Sequence, residues 1–318
     1  MRLGTVLTPV TDENLQLAAQ CGVTDLVARY TDVKTRGLAA IQRQAERFGL
    51  TVPVVEGYLP IERLKVGTDD GTDLAEMKDL LRKMGDAGVP LVCYNFMAGS
   101  DWVRTQTDLP ERGGARVTAF RLKDVERAVT LNTSTTLTSA DEVTADQLWT
   151  NLERFLHELL PVAEQTGVSL AMHPDDPPLP ALLGRARIMN SVENFERLIQ
   201  LAPSPHNGIC FCQGSFATMN VDIPQAIRRL GPSIKYVHFR DVAGTPEDFR
   251  ETFHDNGPTD MAAAIRAYRE VGFTGTLRPD HVPQYVGEEG EPGYTMLGRL
   301  FAYGYIRGLL QATEPPCG

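Results

Sequence analysis

The run VSLAMH at 168–173 is apolar until it ends on an imidazole, and the same design returns downstream as GICFC at 208–212 and IKYVHF at 234–239. Short, nearly continuous apolar runs are what strands buried on both faces require, and burial on both faces is a property of parallel sheets. Between the three runs lie amphipathic stretches of helical period, 192–201 and 223–230. Strands alternating with helices in this way form the repeating unit of a helix-covered parallel sheet.

Further runs of the same kind occur at 3–7, 25–30, 52–56, 90–96 and 276–280, which brings the count to eight. Helical patterns follow them at 13–20, 38–48, 74–87, 147–165, 192–201, 223–230, 261–271 and 296–310. Thr144 and Gln147 have the spacing of a capping box, and Gly22, Gly49, Gly88, Gly167 and Gly272 sit where helices should end. Eight repeats predict a closed (β/α)8 TIM barrel, an α/β fold in one domain over 1–318, with an open doubly wound sheet as the rival. One segment breaks the rhythm. The connection after the fourth strand, 99–141, is long, rich in Thr, Arg and Gly, and has no apolar period before 122–131. In a barrel such a connection lies on the catalytic face, and Trp102, Val117 and Phe120 within it need somewhere to pack.

Composition narrows the partners. The chain has 318 residues, 41 acidic against 31 basic side chains, a net charge of −10 and 42% hydrophobic residues. No Lys/Arg block provides the footprint that nucleic acid or an anionic membrane demands, so a small molecule is the expected ligand. The first ten residues lack a signal-peptide pattern, and nowhere do 18 apolar residues run together. Five cysteines are too few and odd in number for a disulfide scaffold. A cytoplasmic location is expected, in which a thiolate can serve as a metal ligand; self-association is left open.

The chemistry lies at the strand ends. Four successive strands finish on a residue competent to bind metal: His173, Cys212, His238 and Asp280. In a barrel these ends converge on one face. Alternation along a strand puts Ala171 on the face of His173, Cys210 with Cys212, Tyr236 with His238, and Arg278 with Asp280. The deeper member of each pair would fill the barrel and the last would line its mouth. One such His or Cys alone is more often structural, but four in succession point to a divalent transition ion. Imidazole and carboxylate admit manganese or iron, and thiolate adds zinc or cobalt. Arg240 and Arg278 flank the set, and arginine suits a substrate carboxylate. The chain has no G-x-S-x-G, P-loop, dinucleotide fingerprint or C-x-x-C pair, which disfavours the main competing chemistries.

Further motifs run in order from the fourth strand to the last helix: VCYNFM at 92–97 with Asp101, Trp102, Arg104 and Thr105, HPDDPP at 173–178, CQGS at 212–215, HFR at 238–240, Phe253 and His254 leading to Gly257, Asp260 and Met261, RPDH at 278–281, and PGY at 292–294 with Gly298 and Arg299. On these residues the chain resembles the iron- or manganese-dependent mannonate dehydratases, which are xylose-isomerase-like TIM barrels. The resemblance implies that His173, Cys212, His238 and Asp280 hold the metal, manganese first and iron, cobalt or zinc after it. It also implies that His281 and Tyr294 are the acid/base pair, and that a sugar acid loses water to give a 2-keto-3-deoxy acid. Asn95, Arg240, His254 and Arg278 are the expected substrate contacts, although His254 could instead cap its loop. Members of that family carry two histidines after the second strand, where this chain has RYTD at 29–32, and another histidine where Val282 and Pro283 stand. Substrate contacts are therefore expected to differ. Two other functions share the barrel: sugar isomerisation or epimerisation at the same metal, and sugar binding without catalysis.

Overall fold

The computed structural model describes residues 1–130 and 142–314. Eight parallel strands close on themselves: β1 (Arg2–Thr5), β2 (Asp25–Arg29), β3 (Thr51–Glu56), β4 (Leu91–Asn95), β5 (Ser169–His173), β6 (Asn207–Cys212), β7 (Ile234–Phe239) and β8 (Thr276–Pro279). Each pairs with its neighbours in chain order, and β8 returns to β1 with Thr276 opposite Arg2 and Leu277 opposite Leu3. The expected barrel is the one observed, and the open sheet is excluded.

Among the described residues, the helices that follow the eight strands are α1 (Asp12–Gln20), α2 (Leu38–Glu46), α3 (Thr72–Asp86), α4 (Ala145–Thr166), α5 (Val192–Leu201), α6 (Ile223–Leu230), α7 (Met261–Glu270) and α8 (Met296–Ala312), with shorter helices at Tyr30–Arg36, Glu62–Val66 and Gln213–Thr218. The capping box forms at the start of α4, where the Thr144 and Gln147 side chains each accept the other residue's backbone N–H. Gly167 ends the same helix at φ 71°, a left-handed conformation open to glycine at little cost.

Side-chain alternation divides the strands' apolar residues into two cores. Val6, Val27, Val54, Leu91, Cys93, Ala171, Cys210 and Tyr236 fill the barrel, together with Tyr294. Residues of opposite parity, such as Val55, Val92, Tyr94, Met172, Phe211 and Val237, pack outward against the helices. Phe155 of α4 is 1% exposed and meets Tyr94 and Phe96 at ring-centroid distances of 5.1 and 5.6 Å. Truncating it leaves a cavity that rigid neighbours cannot refill, so Phe155→Ala is expected to cost about 3–5 kcal/mol. The midpoint of urea unfolding reads this directly, and a loss below about 1 kcal/mol would show that the helix layer can collapse around the gap.

The connection after β4 builds structure the sequence pattern did not show. Strands Gln106–Pro110 and Arg116–Arg121 join the hairpin Val242–Thr245 and Asp248–Glu251, from the connection after β7, in a four-stranded antiparallel sheet. Phe120 and Phe249 stack within it beside Val103, Leu179, Leu182 and Val242. Trp102, Val117 and Phe120 are all buried, as their apolar surface demanded. The apolar period at 122–131 yields a 3-10 segment, Leu122–Arg127, with no buried residue, and a two-residue strand, Val129–Thr130, paired with Val103–Arg104, while 131–141 lie outside the described residues. This outer sheet ties the fourth and seventh connections together above the barrel mouth.

Candidate active site at the carboxyl ends of the strands

A cavity of about 110 Å³ opens at the carboxyl ends of the strands. Its wall includes Arg29, Glu56, Asn95, His173, His238 and Arg278 from the strands, with Tyr58, Asp101, Trp102, Asp176, Asp280, His281 and Tyr294 from the loops. Barrel register brings these strand ends level: Asn95 pairs with His173, Cys212 with His238, and His238 with Arg278.

One donor atom each from His173, Cys212 and His238 lies within 4.8 Å of the others. Asp280 Oδ2 is 3.6 Å from His238 Nδ1 and 3.9 Å from Cys212 Sγ. The imidazoles are oriented from behind. His173 Nδ1 donates to the Pro174 carbonyl at 2.7 Å, which leaves Nε2 with its lone pair. His238 Nε2 donates to Glu56 Oε2 at 3.2 Å, which leaves Nδ1 buried without a hydrogen-bond partner. Buried polar atoms are rarely left so, whereas metal-binding histidines are commonly held through the other ring nitrogen.

Charge gives a second test of fit. Arg104 bridges Asp176 and Glu251 at 2.7 and 2.6 Å. Arg240 reaches Asp176, Glu251 and Asp280 at 2.8, 2.9 and 3.0 Å, and Arg278 reaches Glu56 and Asp280 at 2.7 and 2.8 Å. Three guanidiniums therefore face four carboxylates, all buried. Burial opposes ionisation of Cys212, but Arg240 and then His173 outweigh it and hold the thiol well below its ordinary pKa. Asp280 is likewise held well below the carboxylate range against its burial, by His281, Arg278, His238 and Arg240. With Cys212 ionised and the imidazoles neutral, the network carries two negative charges in excess, which a divalent cation cancels. In the metal-free protein His173 takes up part of that demand: against its burial, the neighbouring Cys212 pushes its pKa up to about 10.

His281 and Tyr294 face each other across one side of the cavity, ring centroids 5.5 Å apart. His281 Nδ1 is 3.0 Å from Glu251 Oε1, closer than the donors Trp102 Nε1 at 3.2 Å and Arg104 Nη2 at 3.3 Å. A bare Nδ1 accepts from Trp102; a proton on Nδ1 directed at Glu251 instead leaves Nε2 free to accept one. Tyr294 donates its hydroxyl proton to Asp280 Oδ1 at 3.2 Å. Burial, and then the Asp280 carboxylate, holds that phenol well above the usual tyrosine value, so it stays protonated at neutral pH.

Of the expected substrate contacts, Asn95 and Arg278 reach the cavity wall. Among the described residues Arg240 and His254 do not line it. Arg240 lies behind Asp280 with its guanidinium committed to carboxylates, so its place is to hold a ligand rather than a substrate. His254 is 1% exposed, and burial drives its pKa down to about 4. Sequence reasoning missed Glu56 and Glu251. Glu56 was findable, because it too closes an apolar strand run, and it accepts from Tyr236, His238 and Arg278. Glu251 carried no such signal. Arg29, where the resemblance led one to expect histidine, makes two 2.9 Å bonds to Glu291 and lies over the Tyr294 ring at 4.9 Å.

A family model described as D-mannonate dehydratase (UxuA) matches residues 9–316. The chain belongs to the D-mannonate dehydratase family. Membership makes it a hydro-lyase of the mannonate dehydratase type. It is similar to mannonate dehydratase 2 of Halalkalibacterium halodurans, 32% identical over 92% of this chain and 93% of that one. The mannonate dehydratase of Oceanobacillus iheyensis is 34% identical over 89% and 87% of the two chains. The crystal structure of mannonate dehydratase from Streptococcus suis serotype 2 superposes with a TM-score of 0.86, at 31% identity and coverage of 98% and 93%. A xylose isomerase domain protein from Alicyclobacillus acidocaldarius, 16% identical with a TM-score of 0.61 over 97% and 98%, shares the fold. This chain and that protein thus have the same barrel fold.

Proposed function

We propose that this chain removes water from a mannonate-like sugar acid to give a 2-keto-3-deoxy sugar acid, with His173, Cys212, His238 and Asp280 holding one divalent transition ion. The observation that carries this reading is the His, Cys, His and Asp set, buried but for the half-buried His173, with its unpartnered His238 Nδ1 and its excess of two negative charges. Manganese is the first expectation, with iron, cobalt and zinc next. A reducing, cytoplasmic setting suits a ligand thiolate; Cys21, Cys93, Cys210 and Cys212 are free, and among the described residues no helix is long and apolar enough to cross a membrane.

A bound divalent ion supplies Lewis acidity that stabilises charge developing on the substrate carboxylate as its α-proton is lost. The protein does the proton work. His281 accepts the C2 proton at Nε2, with Glu251 holding Nδ1 and so orienting the ring. Tyr294, whose phenolic proton is directed at Asp280 when no substrate is bound, turns it to the departing C3 hydroxyl. Asn95 is fixed at the wall by Lys65 Nζ at 2.9 Å and by its own bond to Asp101 at 2.5 Å, which presents a polar edge to substrate hydroxyls.

Incubation of the manganese-loaded protein with D-mannonate and a panel of hexonates and pentonates tests the reading. A 2-keto-3-deoxy acid is expected from at least one of them, and absence of such product from every acid would overturn it. Glu251→Gln is expected to lower kcat by about 100-fold with metal content intact and Glu251→Asp restoring part of the rate. Loss of metal in Glu251→Gln would instead assign Glu251 to holding Arg240 and Asp280.

A further inference from the structure

Two thiols lie in the barrel that the proposed chemistry does not use. Cys93 of β4 and Cys210 of β6 point into the interior core, with Ala171 of β5 between them. Ala171 pairs across the ladder with Cys93 and offers only a methyl group, so the two sulfurs approach each other over it. Each sulfur and one nitrogen of His238 lie within 4.8 Å of one another. Cys93 is also part of the cavity wall, so a small ion entering the cavity reaches the pair.

A disulfide does not suit this placement. With one strand between them, the two backbones are about 9–10 Å apart at ~4.8 Å per strand, and a disulfide spans less than about 7 Å between Cα atoms. A metal bonded to both sulfurs at ~2.3 Å matches the spacing better. The His238 edge available to it is Nε2, because Nε2 meets Glu56, and Glu56 pairs across its ladder with Cys93. Nδ1 faces the other way, toward Cys212 and Asp280.

We propose that Cys93, Cys210 and His238 Nε2 form a second, softer metal site one layer beneath the first, which takes thiophilic divalent ions such as Cd²⁺ or Zn²⁺. Binding releases the two thiol protons and the Nε2 proton of His238 to solvent and involves no redox change, so the imidazolate bridges the two sites and the barrel gains one negative charge. The ion displaces Glu56 from Nε2 and pulls on an imidazole that the upper site needs. Thiophilic ions therefore inhibit without expelling the upper ion. The proposal shares His238 with the reading of the upper site but does not depend on turnover.

The test is to titrate the manganese-loaded protein with Cd²⁺, following the ultraviolet thiolate-to-cadmium band, manganese release by EPR, and total metal per chain. Uptake of one Cd²⁺ per chain without manganese release is expected. The band and the cadmium should both be lost in Cys210→Ala and in the near-isosteric Cys210→Ser, but retained in Cys21→Ala. Cadmium uptake that releases manganese one for one and survives in both Cys210 variants would place the ion at Cys212 and overturn the proposal, as would no uptake at all. If the protein holds no manganese, the same titration of the metal-free protein still decides the lower site, and only the reading of the upper site fails.

Discussion

Cys212→Ala is expected to reduce bound transition metal from about one ion per chain to near zero and to lower turnover by at least about a thousandfold. The thiolate supplies one of the two surplus negative charges in the buried network. Without it, the three guanidiniums and four carboxylates carry one surplus charge and a divalent ion is no longer balanced. His173 also loses the neighbour that outweighs its burial. A purely structural role makes a different forecast, since Cys212 is fully buried and a buried thiol can be no more than a small hydrophobe. Its truncation would then cost only a packing loss of order 1 kcal/mol and leave metal uptake alone. Two measurements separate the cases: metal content by mass spectrometry, and the shift in melting temperature on adding Mn²⁺. Ligand at 100 times its Kd stabilises a native state by about 2.7 kcal/mol, so the wild-type protein should show a clear shift and Cys212→Ala none. A variant that retains both would remove the assignment of all four ligands.

The barrel was readable because its strands are buried on both faces. Runs such as 234–239 have no polar alternation to confuse with a helix, and each is followed by a helix of clear period. The outer sheet had no such signature. Gln106–Pro110 includes Asp108 and Pro110 and has no buried residue, and Asp248–Glu251 buries every second side chain over only four residues. Its partners, 106–121 and 242–251, are more than a hundred residues apart in the chain, and only tertiary pairing makes them strands. The site follows the same division. Residues closing barrel strands were legible, since geometry sends every strand end to one face, and Glu56 obeys the rule although it was passed over. Glu251 arrives from the outer sheet, so no local pattern announces it. Arg240 lies outside the cavity wall; a sequence shows a cation near the strand ends but not the carboxylates that occupy it. By residue type Arg240 and Arg278 suit an anionic substrate in a chain of net charge −10. Both are instead paired with carboxylates, Arg278 in the wall and Arg240 behind it, which leaves the proposed ion as the main local attraction.

His281→Asn and Tyr294→Phe are expected to keep the metal yet lower dehydration by about 10²- to 10⁴-fold each, the range for removing a general acid or base. They should differ in which half of the reaction fails. His281→Asn removes the lone pair that takes the C2 proton, so exchange of that hydrogen with D₂O should stop along with product formation. Tyr294→Phe leaves the base in place and removes only the proton for the leaving hydroxyl. If proton removal is reversible, substrate recovered from D₂O should then carry deuterium at C2 while little keto-deoxy acid forms. Tyr294 also donates to Asp280 at 3.2 Å and packs beneath Arg29, so phenylalanine keeps the ring contacts and loses a single hydrogen bond. A fall in metal content matching the fall in rate would assign Tyr294 to positioning Asp280. Exchange persisting in His281→Asn but lost in Tyr294→Phe would reverse the two roles, with the phenol acting as base despite the burial that keeps its proton on.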